Sequence, residues 1–135
     1  LFLEWARAKG LRIIAISDMY LAQRQVAQLL DELGYRGLID VVYVSSEKRL
    51  AKYSGRLFEH VLRDEGLTPE SVMHVGDNFH SDALSPCRLG VQGVFLDEKH
   101  ERVRRRRQTT AEAAAVAEAQ AAAWLFKRMV LSLFI

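Results

Sequence analysis

Four short stretches of the 135-residue sequence carry side chains whose types suit work on a phosphoryl group. They are Ser17-Asp18, Lys52, Asp77-Asn78 and Asp82. A serine hydroxyl can donate a hydrogen bond to a phosphoryl oxygen, and a lysine ammonium can neutralise phosphate charge. A pair of carboxylates can hold Mg²⁺. Together these residue types favour Mg²⁺-assisted chemistry at a phosphate.

The elements that position these groups are predicted from short apolar runs that begin near residues 12, 41, 71 and 91. Each run follows a segment of helical periodicity that ends at a glycine, so helix and strand alternate. This order predicts the α/β class, with a Rossmann-like parallel sheet and flanking helices. Side chains that follow parallel strands gather at one edge of the sheet, so we expect the four stretches to meet there.

The composition describes one folded domain, since half of the residues are hydrophobic and only 8 are Gly and 2 are Pro. Intrinsic disorder and fibrous repeats are excluded on this ground. Cys87 is the only cysteine, so an internal disulfide is impossible. The sequence carries no secretory signal pattern, and a cytoplasmic location is the expectation.

The charge divides the chain into two unlike parts. Residues 1–98 contain 11 Lys or Arg and 14 Asp or Glu, a net charge of −3, and residues 99–135 contain 8 and 3, a net charge of +5. We therefore predict a partial α/β core over 1–98. A basic, Ala-rich helical tail is predicted over 99–135, because nine alanines fall between 111 and 123.

The tail is the other region that bears on possible partners. Its arginine run has no interleaved aromatic residues, which favours a solvated helix face or linker over a nucleic-acid site. No stretch reaches the roughly 20 apolar residues of a transmembrane helix. Nine of the last 12 residues are apolar, so this end is expected to pack on the core, on another domain or on another subunit.

Each candidate group also has a purely structural interpretation. Ser17 or Asp18 can cap the next helix, a lysine is usually solvated, and aspartates are common in turns and caps. The coincidence of all of them at adjacent strand ends favours a functional site. His74 lies inside an apolar strand and is interpreted as a hydrogen-bonded core residue, whereas His80 is interpreted as an ordinary loop residue.

Three segments resemble motifs II, III and IV of the haloacid dehalogenase (HAD) superfamily. They are residues 13–20 (IIAISDMY), 52–58 (KYSGRLF) and 74–82 (HVGDNFHSD), and the resemblance covers roughly residues 1–97. More narrowly, the Ser-Asp-Met-Tyr-Leu and Val-Gly-Asp-Asn segments resemble predicted HAD hydrolases associated with glycosyltransferases of surface-polysaccharide biosynthesis. The resemblance implies a Mg²⁺-dependent phosphatase core.

The resemblance implies a role for each matched residue. Ser17 would bind the phosphoryl group, and Lys52 would stabilise both the nucleophile and the transferred phosphate. Asp77 would hold Mg²⁺, and Asp82 would ligate the metal or orient its water. Two neighbours are further candidate site residues, Asp18 and Asn78.

Motif I of the superfamily is missing. It is an Asp-x-Asp pair on a central strand between the strands of motifs II and IV, and no Asp-x-Asp occurs in this sequence. We expect either that the two flanking strands pair directly or that the chain is a fragment incomplete without an upstream segment. The cap that follows motif I is missing as well. Without a nucleophile the covalent mechanism cannot run, so the chain alone is expected to be inactive.

Other functional classes remain open or are excluded by residue order. A non-catalytic phosphate- or metal-binding module, or a partner domain of a glycosyltransferase, is the main alternative. A response-regulator receiver would place its lysine late, whereas Lys52 precedes the Asp77 segment. Gly-x-Gly-x-x-Gly and Walker loops are absent.

A sugar phosphate or nucleotide sugar is the expected kind of small phosphorylated substrate.

Overall fold

A five-stranded parallel sheet forms the centre of the protein, as seen in a computed structural model that describes residues 2–96 and 130–133. The strands are β1 (Arg12–Ser17), β2 (Val41–Val44), β3 (Val72–Gly76), β4 (Gln92–Phe95) and β5 (Val130–Leu133). Their order across the sheet is β2-β1-β5-β3-β4. The predicted α/β class is confirmed, and β1 to β4 coincide with the four predicted apolar runs.

Short helices connect the strands. They are α1 (Phe2–Ala8), α2 (Gln23–Leu30), α3 (Ser45–Lys48), α4 (Arg56–Asp64) and α5 (Ser85–Arg88), with π-helical turns at Asp31–Tyr35 and Phe79–Leu84 and a 3₁₀ turn at Pro69–Ser71. The turn that continues α2 contains Gly34 at φ 92°, a left-handed conformation that stops the helix and suits glycine. The sequence therefore marked this helix end correctly.

The core lies on both faces of β1, because successive side chains of a strand point to opposite faces. Ile14 and Ile16 pack with Phe58 of α4 on one face, and Ala15 packs with Val26 of α2 on the other. All five side chains are almost completely buried. Burial of each large apolar side chain contributes about 1.5–3 kcal/mol. The packing of α2 and α4 against its two faces thus fixes the position of β1 and of its carboxyl end.

Strand β5 lies between β1 and β3 and is parallel to both. Leu133 is opposite Ala15 on one side and Val75 on the other, so β1 and β3 do not pair directly. At residues 130–133 this strand differs from the helical tail predicted for 99–135, and the rest of that prediction lies outside the described residues. Helix propensity is a weak local preference, whereas a strand in this position satisfies the backbone hydrogen-bonding groups of two open edges.

Residues 130–133 of the apolar C-terminal segment join the sheet through their backbone, whereas the expected packing of the segment's side chains stays a prediction. The arginine run and the alanine-rich segment lie outside the described residues. Over residues 2–96 and 130–133, no helix is long and apolar enough to cross a membrane. Cys87 is a free, exposed thiol, in agreement with the absence of a disulfide.

The amino-terminal edge of the sheet is held by Asp40. Its carboxylate accepts hydrogen bonds from the Arg7 guanidinium at 2.7 and 2.8 Å and from the Ile13 amide at 2.7 Å. Burial opposes ionisation of Asp40, but the Ile13 amide and the nearby arginine outweigh it and lower the pKa of this carboxyl. The network joins α1 to the start of β1, at the edge opposite Ser17.

Candidate active site

The register of the central strands places Ser17 and Asp77 on either side of β5. Leu133 lies opposite Ala15 in β1 and Val75 in β3. Ser17 and Asp77 each come two residues later, so both lie at the carboxyl edge of the sheet. Ser17 is completely buried and Asp77 is exposed. The predicted meeting of these two groups at one edge is therefore observed.

Lys52 is held at the same edge through its backbone and its side chain. Its amide donates to the two carboxylate oxygens of Asp18, at 3.0 and 3.2 Å, which ties the loop before α4 to the end of β1. The Lys52 side chain is buried, and its Nζ lies 2.7 Å from Oδ1 of Asp82. The interpretation of Lys52 as a solvated surface lysine is thus wrong. Asp18 acts here as an anchor for the lysine loop.

Asp82 is the centre of a buried polar cluster in the turn after β3. Its Oδ1 accepts hydrogen bonds from Lys52 Nζ and from His74 Nε2, the latter at 3.0 Å, and its Oδ2 accepts one from the Asn78 amide at 2.9 Å. Burial raises the pKa of Asp82, but the hydrogen bonds from His74 and Lys52, the lysine charge and the Asn78 amide lower it to about 2. Asp82 is therefore an ionised carboxylate that holds Lys52.

Gly76 lets the turn close onto β3. A Cβ at this position would lie 2.4 Å from Cγ of Asp82, which is closer than carbon atoms can approach. Asn78 shapes the same turn, since its side-chain oxygen accepts a hydrogen bond from Ser81 N at 2.9 Å and its carbonyl accepts one from Asp82 N at 2.7 Å. The predicted site residue Asn78 thus serves as the cap that aims Asp82.

His74 is a member of this cluster that the sequence did not assign to the site. Its interpretation as a hydrogen-bonded core residue is confirmed, because the ring is completely buried and bonded to Asp82. Burial lowers the pKa of His74, and the neutral ring donates its Nε2 proton to the ionised Asp82. The ring also contacts Phe58 edge-on, with centroids 4.8 Å apart. The sequence signal was its place as the first residue of the segment 74–82 that resembles motif IV.

The His80 ring contacts neighbouring side chains and does not simply face solvent. Its ring stacks on Tyr53 with centroids 3.9 Å apart, and Nδ1 lies 3.4 Å from the Ser85 hydroxyl. Ser85 Oγ also donates to the Tyr53 carbonyl at 2.7 Å. This contact runs beside the Lys52–Asp82 pair and is a second link between the lysine loop and the turn after β3.

The carboxylates of this edge differ in what they offer a divalent cation. The exposed Asp77 carboxylate has no hydrogen-bond partner among the described residues. In contrast, Asp82 already accepts three hydrogen bonds. No three His, Cys, Asp or Glu side chains within the described ranges are grouped to hold a metal ion. Mg²⁺ commonly binds through one or two carboxylates, waters and substrate phosphate, so Asp77 fits as one such ligand.

Strand β5, which lies between β1 and β3, supplies no carboxylate to the site. Val130–Leu133 contains no acidic residue, although it lies where the resemblance places the motif I strand. Residues 130–133 of β5 therefore supply no nucleophilic aspartate. Among the described residues, this edge groups a hydroxyl, an ammonium and carboxylates, a set of groups that suits a phosphate.

Comparison with known proteins agrees with this geometry. Residues 1–86 match the haloacid dehalogenase-like hydrolase family. The chain belongs to this family. The matched region of the HAD-like domain includes Ser17, Lys52, Asp77 and Asp82, so every candidate group lies within it.

Individual relatives of the HAD-like domain match stretches of 90 to 97 residues. The human haloacid dehalogenase-like hydrolase domain-containing protein 3 is 33% identical over 94 residues, which are 70% of this chain and 36% of the relative. Its Danio rerio counterpart is 29% identical over 97 residues, 72% of this chain and 39% of the relative. Escherichia coli pyrimidine 5′-nucleotidase YjjG is 30% identical over 90 residues, 66% of this chain and 39% of the relative. The chain thus spans less than two fifths of each of these relatives.

Proposed function

We propose that this HAD-like chain is part of a Mg²⁺-dependent phosphohydrolase that acts on a small phosphorylated substrate. The observation that carries the proposal is the buried Lys52–Asp82 ion pair, at the sheet edge that also carries Ser17 and Asp77. A lysine ammonium has three N–H donors, so the bond of Lys52 to Asp82 does not by itself use all of them.

In this proposal each residue has one task. Ser17 donates a hydrogen bond to the phosphoryl group from the end of β1, and Lys52 neutralises its charge. Asp82 fixes the direction of the lysine. The Asp77 carboxylate would hold Mg²⁺, which would neutralise further phosphate charge when bound. The prediction that Asp82 also serves the metal stays a prediction, because its observed contacts are to Lys52, His74 and Asn78.

We further propose that the 135-residue chain binds phosphate without turning substrate over. Covalent phosphohydrolysis needs a nucleophile, and β5 has no acidic residue. The fragment hypothesis assigns the missing Asp-x-Asp to a segment outside these residues. Mg²⁺-dependent phosphate release by the purified chain that disappears in Asp77→Ala would contradict the predicted inactivity.

The substrate class follows from analogy. One relative is a pyrimidine 5′-nucleotidase, which makes nucleoside monophosphates candidate substrates. The resemblance to polysaccharide-linked hydrolases adds sugar phosphates and nucleotide sugars. The glycosyltransferase association and the cytoplasmic location stay predictions.

Titration of the full 135-residue chain with inorganic phosphate, with and without Mg²⁺, tests the proposed site. We expect Ser17→Ala and Lys52→Gln to weaken binding about tenfold or more, because each removes a donor to the phosphoryl group. We expect Asp77→Asn to remove the Mg²⁺ dependence. Ser71→Ala and Lys9→Gln are matched controls, since Ser71 bonds to Thr68 and Lys9 is exposed on another part of the surface. Equal losses of phosphate affinity in the two control variants would contradict the proposed phosphate site.

A non-catalytic phosphate- or metal-binding module is the second candidate function. The observation in its favour is the acid-free strand at the centre of the sheet. The coding sequence that flanks these residues separates the two candidates. An in-frame strand with Asp-x-Asp supports the phosphohydrolase, and phosphate release by the longer chain confirms it. Binding without release by that longer chain favours the module.

A further inference from the structure

His74 and Lys52 share one oxygen atom of Asp82. Lys52 Nζ lies 2.7 Å from Oδ1 of Asp82, and His74 Nε2 lies 3.0 Å from the same atom. All three side chains are almost completely buried. They come from three separate places in the sequence, namely the loop before α4, strand β3 and the turn after β3. The ammonium and the imidazole are thus joined through a single acceptor.

The carboxylate of Asp82 needs support on both oxygens to keep its plane fixed. The Asn78 amide holds Oδ2 at 2.9 Å, and this contact alone would let the group turn about that bond. The His74 ring holds Oδ1 from strand β3. The ring itself is held against Phe58, at 75° and 4.8 Å between centroids. His74 therefore fixes the Asp82 carboxylate, which accepts the Lys52 hydrogen bond, relative to β3.

We propose that His74 is a positioning residue that sets the direction of the Lys52 ammonium toward phosphate. The proposal rests on the proposed function, since it assumes that Lys52 binds the phosphoryl group. His74 acts through Asp82 and does not touch the substrate. The ring of a merely structural residue could be replaced by any side chain that fills its volume, whereas a positioning donor must keep its nitrogen in place.

Two amide substitutions separate these roles. The side-chain nitrogen of Gln in His74→Gln can occupy the place of Nε2, whereas the shorter side chain in His74→Asn reaches only the place of Nδ1. We expect His74→Asn and His74→Phe to weaken the binding of inorganic phosphate about tenfold, and His74→Gln to restore the affinity to within about threefold of the parent.

His60→Phe is the matched control. This histidine also meets an aromatic ring edge-on, Tyr43 at 5.9 Å, but its buried Nε2 has no hydrogen-bond partner among the described residues. We expect its phosphate affinity to equal that of the parent. Equal losses in the Gln and Asn variants, or none in either, would overturn the positioning role. The Gln and Asn pair decides the matter even where the Phe variant does not fold.

A second readout keeps this proposal separate from the proposed function. The Lys52 ammonium should give a resolved, slowly exchanging ¹⁵N-correlated signal in the parent and in His74→Gln, and lose it in His74→Asn. Failure of the parent to bind phosphate would refute the proposed function only, and the ammonium signal would still test the link through Asp82. A Lys52 signal that is unchanged in His74→Asn would overturn the inference.

Discussion

Nζ of Lys52 lies 2.7 Å from Oδ1 of Asp82, and the two side chains are 3% and 0% exposed. Removing two charges from water is costly, and their attraction compensates only where the geometry is good and the remaining hydrogen-bonding groups are satisfied. Here the His74 ring and the Asn78 amide complete the coordination of the carboxylate. The pair joins the loop before α4 to the turn after β3, so its loss affects both stability and the site.

Lys52→Met should destabilise the fold by about 3–5 kcal/mol, because it leaves the buried Asp82 charge without its partner. The free energy of unfolding in urea, compared with that of the parent, measures the effect. Lys9→Met is the control, since Lys9 is exposed, and it should cost less than about 0.5 kcal/mol. Similar costs for the two variants would show that the buried pair contributes little.

Lowering the pH should decrease the free energy of unfolding, because it protonates Asp82. Its pKa is about 2 in the folded protein, below the ordinary value of 3.8, so the folded state favours the ionised form. The resulting stabilisation, about 2 kcal/mol, is fully present above about pH 4 and disappears as the pH falls toward 2. The measurement is the free energy of unfolding of the parent and of Asp82→Asn across this range.

The difference between these two proteins should shrink as the pH falls through this window. Asp40 is a second carboxyl with a lowered pKa, so Asp40→Asn serves as the control that keeps the Asp82 contribution. A parent-to-Asp82→Asn difference that stays constant from about pH 5 to pH 2 would contradict the assigned ionisation.

Gly76→Ala should destabilise the protein by about 1–3 kcal/mol, because the added Cβ would lie 2.4 Å from Asp82 and the turn would have to move away. Thermal unfolding monitored by circular dichroism provides the measurement. The double variant Gly76→Ala/Asp82→Gly removes the atoms that clash, so its cost should be smaller than the sum of the two single costs. Strict additivity would indicate that the two residues are not coupled.

Leu131→Pro tests the place of β5 in the sheet. Proline cannot donate its backbone hydrogen bond, and Leu131 pairs with Ile13 on one side and Met73 on the other. We expect a loss of about 3 kcal/mol or more in the free energy of unfolding. Leu131→Val retains a strand-forming residue and should cost less than about 1.5 kcal/mol. Equal free energies of unfolding for the proline variant and the parent would contradict the central position of β5 in the sheet.

The sequence predicts β1 to β4 well, because each strand lies in a short, mainly apolar run and a glycine follows or ends each helical segment except α3. It also predicts that Ser17 and Asp77 share an edge, since that follows from strand direction alone. The environment of Lys52 could not be predicted in this way. Its partner Asp82 lies 30 residues away, and sequence spacing does not show which lysines are buried.

Strand β5 was missed for a related reason. The alanines between 111 and 123 favour a helix locally, and Val130–Leu133 follows them without a clear boundary. Its strand conformation comes from backbone pairing with residues of β1 and β3, which lie far away in the sequence. His74 shows the same limit at the site, because its donor role depends on where Asp82 lies in space.

The central position of β5 has a consequence for the rate of folding. Arg12 and Val130 pair across a sequence separation of 118 positions, whereas β1 and β2 pair across a much shorter one. Chain entropy delays such distant contacts, so the β1–β2 and β3–β4 pairs should form first and β5 should insert between them in the slowest step. Until that step, the facing edges of β1 and β3 can recruit strands from other molecules, so the yield of refolding should fall with protein concentration.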